Sequence, residues 1–232
     1  MRRAALPIHD TDAALTAPSM QEPDMRIHSN SFEHGKRLPA EFAAGQATAE
    51  GFGFAANRNP HLAWDGVPAG TRSFALLCID PDAPTVPEMV DRDDVQIPVD
   101  QVRGDFFHWA MIDIPAAVTE IAAGSCSDGV TAHGKQHPAG PTGARQGIND
   151  YTGWFAGNPD MAGDWYGYDG AFPPPNDLRL HRYFFRVFAL DVERLDVDAR
   201  FTAGDVLYAM QGHVLGQATT YATYALNPAV AG

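Results

Sequence analysis

The stretch "FALLCIDPDAPT", residues 74–85, joins an apolar run to an acidic, proline-rich one. With Arg72 and Ser73 before it, the run to Ile79 is bounded by Gly70 and Pro81 and is too short for a typical helix. It is also nearly continuous in apolar residues, which marks a strand buried on both faces. Asp80 and Asp82 follow at once, with Pro81 and Pro84 beside them. Proline fixes its own φ and restricts the residue before it, so these two acids are held in place. Taken alone, they read as turn residues that bond nearby backbone N–H groups.

Working outward, "DFFHWAMIDIPA", residues 105–116, reads as a strand with period two. Phe106, His108, Ala110 and Ile112 then share one face, and Phe107, Trp109 and Met111 share the other. "HRYFFRVFAL", residues 181–190, is apolar on both faces and reads as a central strand. Short strands are expected within residues 25–32 and at residues 219–226. The clearest helix is expected over residues 202–218: Thr202 caps it with Asp205, and Val206, Met210 and Val214 form its stripe, widened by Leu207. Two segments have no regular period. Residues 85–104 form a long acidic connection, of the kind that is functional or mobile. Residues 124–177 are rich in Gly, Pro and aromatics, and Trp154, Phe155, Trp165, Tyr166 and Tyr168 call for a packed, ordered loop.

The 232 residues are 45% hydrophobic and 19% charged, with 22 glycines and 18 prolines, which favours a β-rich globular fold. Residues 1–24 read as a poorly ordered tail, and residues 25–232 as a single domain. A net charge of -13 excludes the basic footprint that nucleic acids need, and a polybasic grip on anionic membranes. No run is long enough to span a bilayer, so no integral membrane association is expected. The start of the chain lacks the apolar core of a signal peptide. A cytoplasmic protein is expected, with the periplasm left open. The two cysteines, Cys78 and Cys126, do not suggest a disulfide framework.

Asp80, Asp82, His108 and His181 stand beside the strong strands. If those strands are neighbours, the side chains converge on one pocket. Each also has a plainer reading: turn acids, a satisfied core histidine, a loop end. His133 and His137 have metal-like spacing but sit among Gly and Pro, so no metal is assigned to them.

The combination carries more. "DPDAP" at residues 80–84, "FFHWAMIDIPA" at 106–116 and the block "GINDY…YGYDGAFPPPNDLRLHRYFFRVFALD" within 147–191 resemble the phosphatidylethanolamine-binding protein family. The subgroup they resemble is the bacterial Raf-kinase-inhibitor-like (YbhB/YbcL-type) one. The resemblance runs in order over residues 25–226. It implies a mainly β fold of two antiparallel sheets with Greek-key topology, a C-terminal helix and long structured loops. It also implies a pocket for a small anion, such as phosphate or the phosphoryl headgroup of a phospholipid. Carried over by position, its residues are Asp80, Asp82, His108, Pro173, Pro174, His181 and Tyr183. The Tyr183 side chain either reaches the pocket or turns into the core. The family's Gly-Pro-Cys-Pro-Pro is "GAFPP" here, with Ala171 and Phe172 in place of Pro and Cys.

The resemblance implies binding rather than catalysis, with no cofactor. The expected partners are a small anionic ligand, a protein partner such as an inhibited kinase, and a second copy of the chain. The alternatives are a hydrolase using the Asp and His groups, or a metal site of two histidines and one carboxylate. In the anion reading, His108 and His181 supply donors. A carboxylate, Asp80 or Asp82, orients an imidazole, His108 above all.

Overall fold

The computed structural model describes residues 25–230. The tail expected at residues 1–24 lies outside them. Among the described residues the strands are β1 (Arg26–His28), β2 (Gly45–Thr48), β3 (Gly51–Phe54), β4 (Leu62–Asp65), β5 (Ser73–Pro84), β6 (Arg103–Pro115), β7 (Glu120–Ile121), β8 (Arg145–Gln146), β9 (His181–Leu190) and β10 (Val214–Tyr224). Two short helices accompany them, α1 (Tyr151–Trp154) and α2 (Ala203–Ala209). The main sheet has the order β10-β9-β5-β6-β8; a second sheet is β1-β4-β7, and β2 and β3 form a hairpin. All of these pairings are antiparallel.

Strand β5 is apolar from Phe74 to Ile79 because both of its faces are covered there. Phe74, Leu76 and Cys78 pack with Tyr183, Phe185 and Val187 of β9 and with Leu62, Trp64 and Ile121 of the second sheet. Ala75, Leu77 and Ile79 pack on the opposite face with Phe188, Leu190, Val206 of α2 and Met210 at its C-terminal end. Cys78 and Cys126 are free and buried.

Three expectations needed correction. The strand expected to stop at Ile79 runs on to Pro84, with an irregularity between Asp80 and Ala83 where its pairing to β6 slips. Strand β6 does not keep strict period two. Cys78 pairs with Trp109 and Ile79 with Phe107, so His108 is the extra residue of a β-bulge. Ala110 and Ile112 therefore pack in the second core cluster with Phe107 against them, and the His108 ring meets Tyr183 on the opposite face. The helix expected over residues 202–218 ends at Ala209. Its Thr202–Asp205 capping box forms as expected. Gly212, at φ 83, then reverses the chain, and residues from Val214 onward pair with β9. A sheet edge with paired backbone outweighs a weak apolar stripe here.

The long segment at residues 124–177 is packed as expected around Trp165 and Tyr168, which are 2% and 1% exposed, whereas Trp154 remains 43% exposed.

Candidate functional site

At one end of β5, β6 and β9 lies a cavity of about 200 Å³. Asp80, His108, Pro173, Pro174, His181 and Tyr183 all line it. Asp82 does not. Of the two acids, Asp80 faces the cavity, and Asp82 turns away into a cluster of arginines.

The bulge at Asp80–Ala83 produces this division. Asp80 Oδ1 accepts from the Asp82 backbone N–H at 2.8 Å, which closes a local turn inside the strand. Its other oxygen, Oδ2, lies 2.7 Å from His181 Nδ1. Asp82 is wholly buried and accepts from Arg179 Nε at 2.7 Å and Arg182 Nε at 2.8 Å. Burial works to raise the Asp82 pKa, but the Arg182 and Arg179 bonds and charges outweigh it and hold the carboxyl below its usual range. Asp82 thus fastens the start of β9, the strand that carries His181.

His181 has no free ring nitrogen. Nδ1 meets Asp80 and Nε2 lies 3.0 Å from Asp177 Oδ2. Burial disfavours its charge, yet Asp80 and Asp177 outweigh burial and raise its pKa to about 9. It is an imidazolium clamped between two carboxylates, with both N–H groups donating to them. Asp177 is also bonded by Arg103, with Nη2 to Oδ1 at 3.0 Å. Burial pushes the Asp177 pKa up, but His181 and Arg103 outweigh it and hold it down.

His108 is the complement. Its Nδ1 lies 2.8 Å from the Asp169 carbonyl, an atom that can only accept, so Nδ1 carries the proton. Asp80, expected to orient this ring, orients His181 instead. Burial lowers the His108 pKa, and the opposing pull of the Asp80 charge and the carbonyl bond does not restore it. The ring is therefore neutral near pH 7 and leaves Nε2 with a lone pair. Edge contacts with Tyr151 at 5.5 Å and Tyr183 at 5.2 Å hold its plane. Tyr183 is both things the sequence left open: it belongs to the core cluster and lines the cavity. Burial and the nearby Asp80 charge push its phenol pKa well up.

The loop carrying Asp169 has a foundation of its own. Asp169 accepts from Asn57 Nδ2 at 2.7 Å and Asn149 Nδ2 at 2.8 Å, and Lys135 Nζ pairs with it. Tyr151 Oη donates to the Gly170 carbonyl at 2.8 Å. Gly170 has to be glycine, because a Cβ there would stand 2.4 Å from the Phe42 carbonyl oxygen.

Asp177, Arg103, Arg179, Tyr151 and Asp169 were not singled out from the sequence. Asp177 stands four residues before His181 and Arg103 just before the β6 aromatics, a charge pattern that was available to be read. The acidic connection at residues 85–104 is anchored as well. Asn176 Nδ2 donates to the Met89 and Val95 carbonyls, and Arg179 Nη1 donates to the Val99 carbonyl at 3.0 Å. Val90 and Asp91 of this segment reach the cavity wall.

His181 has no ring nitrogen to offer a metal, and no group of three metal-ligating side chains occurs among the described residues. No helix among them is long and apolar enough to cross a membrane.

A family model described as phosphatidylethanolamine-binding protein matches residues 28–225. The chain is 33% identical over 200 residues to the UPF0098 protein YbhB of Escherichia coli, covering 86% of this chain and 99% of that one. It is 30% identical over 220 residues to YbcL of the same organism, covering 95% and 98%. The crystal structure of E. coli YbcL, described as a member of the mammalian PEBP family, superposes with a TM-score of 0.62 at 29% identity, covering 87% of this chain and 98% of that one. The homolog CT736 of Chlamydia trachomatis gives a TM-score of 0.59 at 25% identity, covering 87% and 97%.

Proposed function

The chain belongs to the phosphatidylethanolamine-binding protein family, and from that premise we propose that its cavity binds the phosphoryl group of a small phosphate ester. The observation that carries this reading is the arrangement around His108. Its Nδ1 is committed to the Asp169 carbonyl, and its Nε2 is the imidazole nitrogen left for a ligand in a cavity that Asp80, His181 and Tyr183 also line.

The charges behind the cavity support an anion. Asp80, Asp82 and Asp177 face Arg103, Arg179, Arg182 and the His181 imidazolium, which leaves one positive charge in excess. His181 acts on the ligand through this charge and through Asp80, since its own N–H groups are taken. The Asp80 carboxylate is occupied by His181 and by the Asp82 backbone, which blunts its repulsion of an anion.

A neutral His108 cannot donate from Nε2. The ligand therefore brings a proton as a phosphate monoanion, or His108 takes one up on binding. Either way the complex holds one proton more than a free phosphate dianion and the empty protein. Binding rather than turnover is the reading because the candidate nucleophiles are quiescent. Burial raises the thiol pKa of Cys78 and Cys126. The cytoplasm remains the proposed location.

Calorimetric titration with inorganic phosphate and phosphoethanolamine tests this. Binding is expected to tighten from about pH 8 to about pH 6, with close to one proton taken up at about pH 8, as two buffers of different ionisation enthalpy reveal. His108→Ala should weaken it at least tenfold. No binding at millimolar ligand, or binding with no proton uptake at about pH 8, refutes the proposal.

A further inference from the structure

The ring of His108 is held for the cavity in one orientation. The Asp169 carbonyl takes its Nδ1 proton at 2.8 Å, and the Asp169 backbone N–H donates back to the His108 carbonyl at 3.1 Å. The rings of Phe106, Tyr151 and Tyr183 pack around it at 4.9, 5.5 and 5.2 Å. Burial keeps the imidazole uncharged. Unlike the buried thiols, a neutral imidazole needs no deprotonation to act as a nucleophile. The nitrogen that acts is Nε2, because Nδ1 carries the proton.

The groups facing the ring decide what that nitrogen can attack. They are Asp80 from β5, Tyr151 from α1, and His181 and Tyr183 from β9. Both Asp80 oxygens and both His181 nitrogens are already bonded, and the Tyr151 hydroxyl donates to the Gly170 carbonyl. Burial pushes the Tyr151 and Tyr183 phenols well up, so neither gives up a proton readily. Nothing beside the ring is therefore free to protonate a departing alkoxide, and an alkyl ester of phosphate is bound intact. An acyl phosphate differs at this point. Its leaving group is a carboxylate, which departs without a proton.

Resting on the phosphoryl reading, we propose that His108 Nε2 is a covalent phosphoryl acceptor that takes its group from an acyl phosphate. The Nε2–P bond forms as the P–O bond to the acyl group breaks, and the electron pair leaves with the carboxylate. The product carries the phosphoryl group on Nε2 and keeps the Nδ1 proton against the Asp169 carbonyl. No proton, electron or further reactant is consumed. The excess positive charge behind the floor, around His181, offsets the phosphoryl charge. The adduct accumulates rather than turns over. Asp80, the carboxylate beside the ring, has both oxygens taken and activates no water, and Phe106, Phe155 and Phe172 screen the new bond.

The test incubates the full chain with acetyl phosphate and follows it by intact mass spectrometry, with inorganic phosphate titrated in parallel by calorimetry. A gain of about 80 Da is expected, one phosphoryl group per chain. The label should survive alkali and be lost in acid, as a nitrogen-bound phosphoryl group is and an oxygen ester is not. His108→Ala and the milder His108→Gln should both abolish it. His137→Ala, at an exposed histidine outside the cavity, should keep it. Peptide mapping of the labelled wild type should place the group on His108, so the result does not depend on how the variants fold. Labelling should be at least severalfold faster at about pH 8 than at about pH 6, because protonation removes the Nε2 lone pair. That is the opposite sign to reversible phosphate binding, and added phosphate should slow the labelling. An unlabelled wild type that still binds phosphate overturns the acceptor and leaves the phosphoryl reading standing. Label that is acid-stable, persists in His108→Gln or maps to another residue also overturns the acceptor. Labelling of His108 in a chain that phosphate neither binds nor protects supports the acceptor and overturns the phosphoryl reading.

Discussion

Raising the pH should unfasten the protein at His181. The imidazolium is 1% exposed and bridges Asp80 and Asp177, so little solvent screening applies. Burial opposes its charge, but the two carboxylates win and move its pKa from 6.5 to about 9. A raised folded pKa means that the folded state holds the proton more tightly than the unfolded chain. The resulting stability is complete below about pH 6.5 and is lost as the pH rises through about 9. At 1.36 kcal/mol per pH unit, the full effect is about 3 kcal/mol. Most of it remains at about pH 7 and only a minor part at about pH 8.5, a loss of about 2 kcal/mol. The buried thiols of Cys78 and Cys126 act in the same direction, because only the unfolded chain ionises them readily. They add a smaller loss over this interval, which is why the range stops short of about pH 9. Urea unfolding with a slope of about 2.5 kcal/mol/M should therefore show the midpoint falling by about 0.8 M between about pH 7 and about pH 8.5. The His181 ring signals, followed by NMR, should titrate near 9. A midpoint that holds constant over this range, or a His181 titration near 6.5, refutes the clamped imidazolium.

Asp177→Asn removes the carboxylate shared by His181 and Arg103 and leaves both cations underpaired. It should cost about 3 kcal/mol in urea unfolding and lower the His181 pKa. Gly45→Ala would set a Cβ 2.3 Å from Phe172 Cγ, near the fixed end of that side chain. Phe172 has to move, so phosphoethanolamine affinity should fall several-fold with a stability loss of about 1–2 kcal/mol. Thr202→Ala removes the capping box of α2 and should cost about 1 kcal/mol with no change in ligand binding, as unfolding and calorimetry on one variant can show.

How far the sequence could be read depended on whether a feature is local. Strands β5 and β9 were legible because β5 is buried on both faces up to Asp80 and β9 is buried on one face and throughout its second half, and burial leaves an apolar run that needs no partner to recognise. Thr202 and Asp205 were legible as a cap because both residues lie within one turn. The end of α2 was not. Val206, Met210 and Val214 continue a helical spacing, yet Val214 belongs to β10 because β9 offers its backbone a partner. The His108 bulge was also hidden, since it exists only in the register between β5 and β6. The pocket residues were found as a set only through their resemblance to a family. Periodicity placed His108 on a strand but said nothing of Asp169, which lies 61 residues away and fixes its tautomer.

The same distinction explains why two histidines in one cavity have different work to do. Asp177 joins His181 to Arg103, and Arg103 reaches the Asp82 and Pro98 carbonyls at 3.0 and 2.8 Å. The floor of the cavity, the start of β9 and the 85–104 segment are therefore one ionic network. Such a network gives little net stability over an apolar core of the same shape, because desolvation offsets most of its Coulomb gain. Its benefit is geometric: it fixes where charge stands and which atoms are taken. His181 is taken on both nitrogens, so it supplies field and rigidity. His108 is held by one nitrogen on a neutral carbonyl, kept uncharged by burial, and left with the other nitrogen for a ligand. The network can hold its protons over the pH range in which His108 changes its own, so a ligand can be protonated or released without loosening the walls around it.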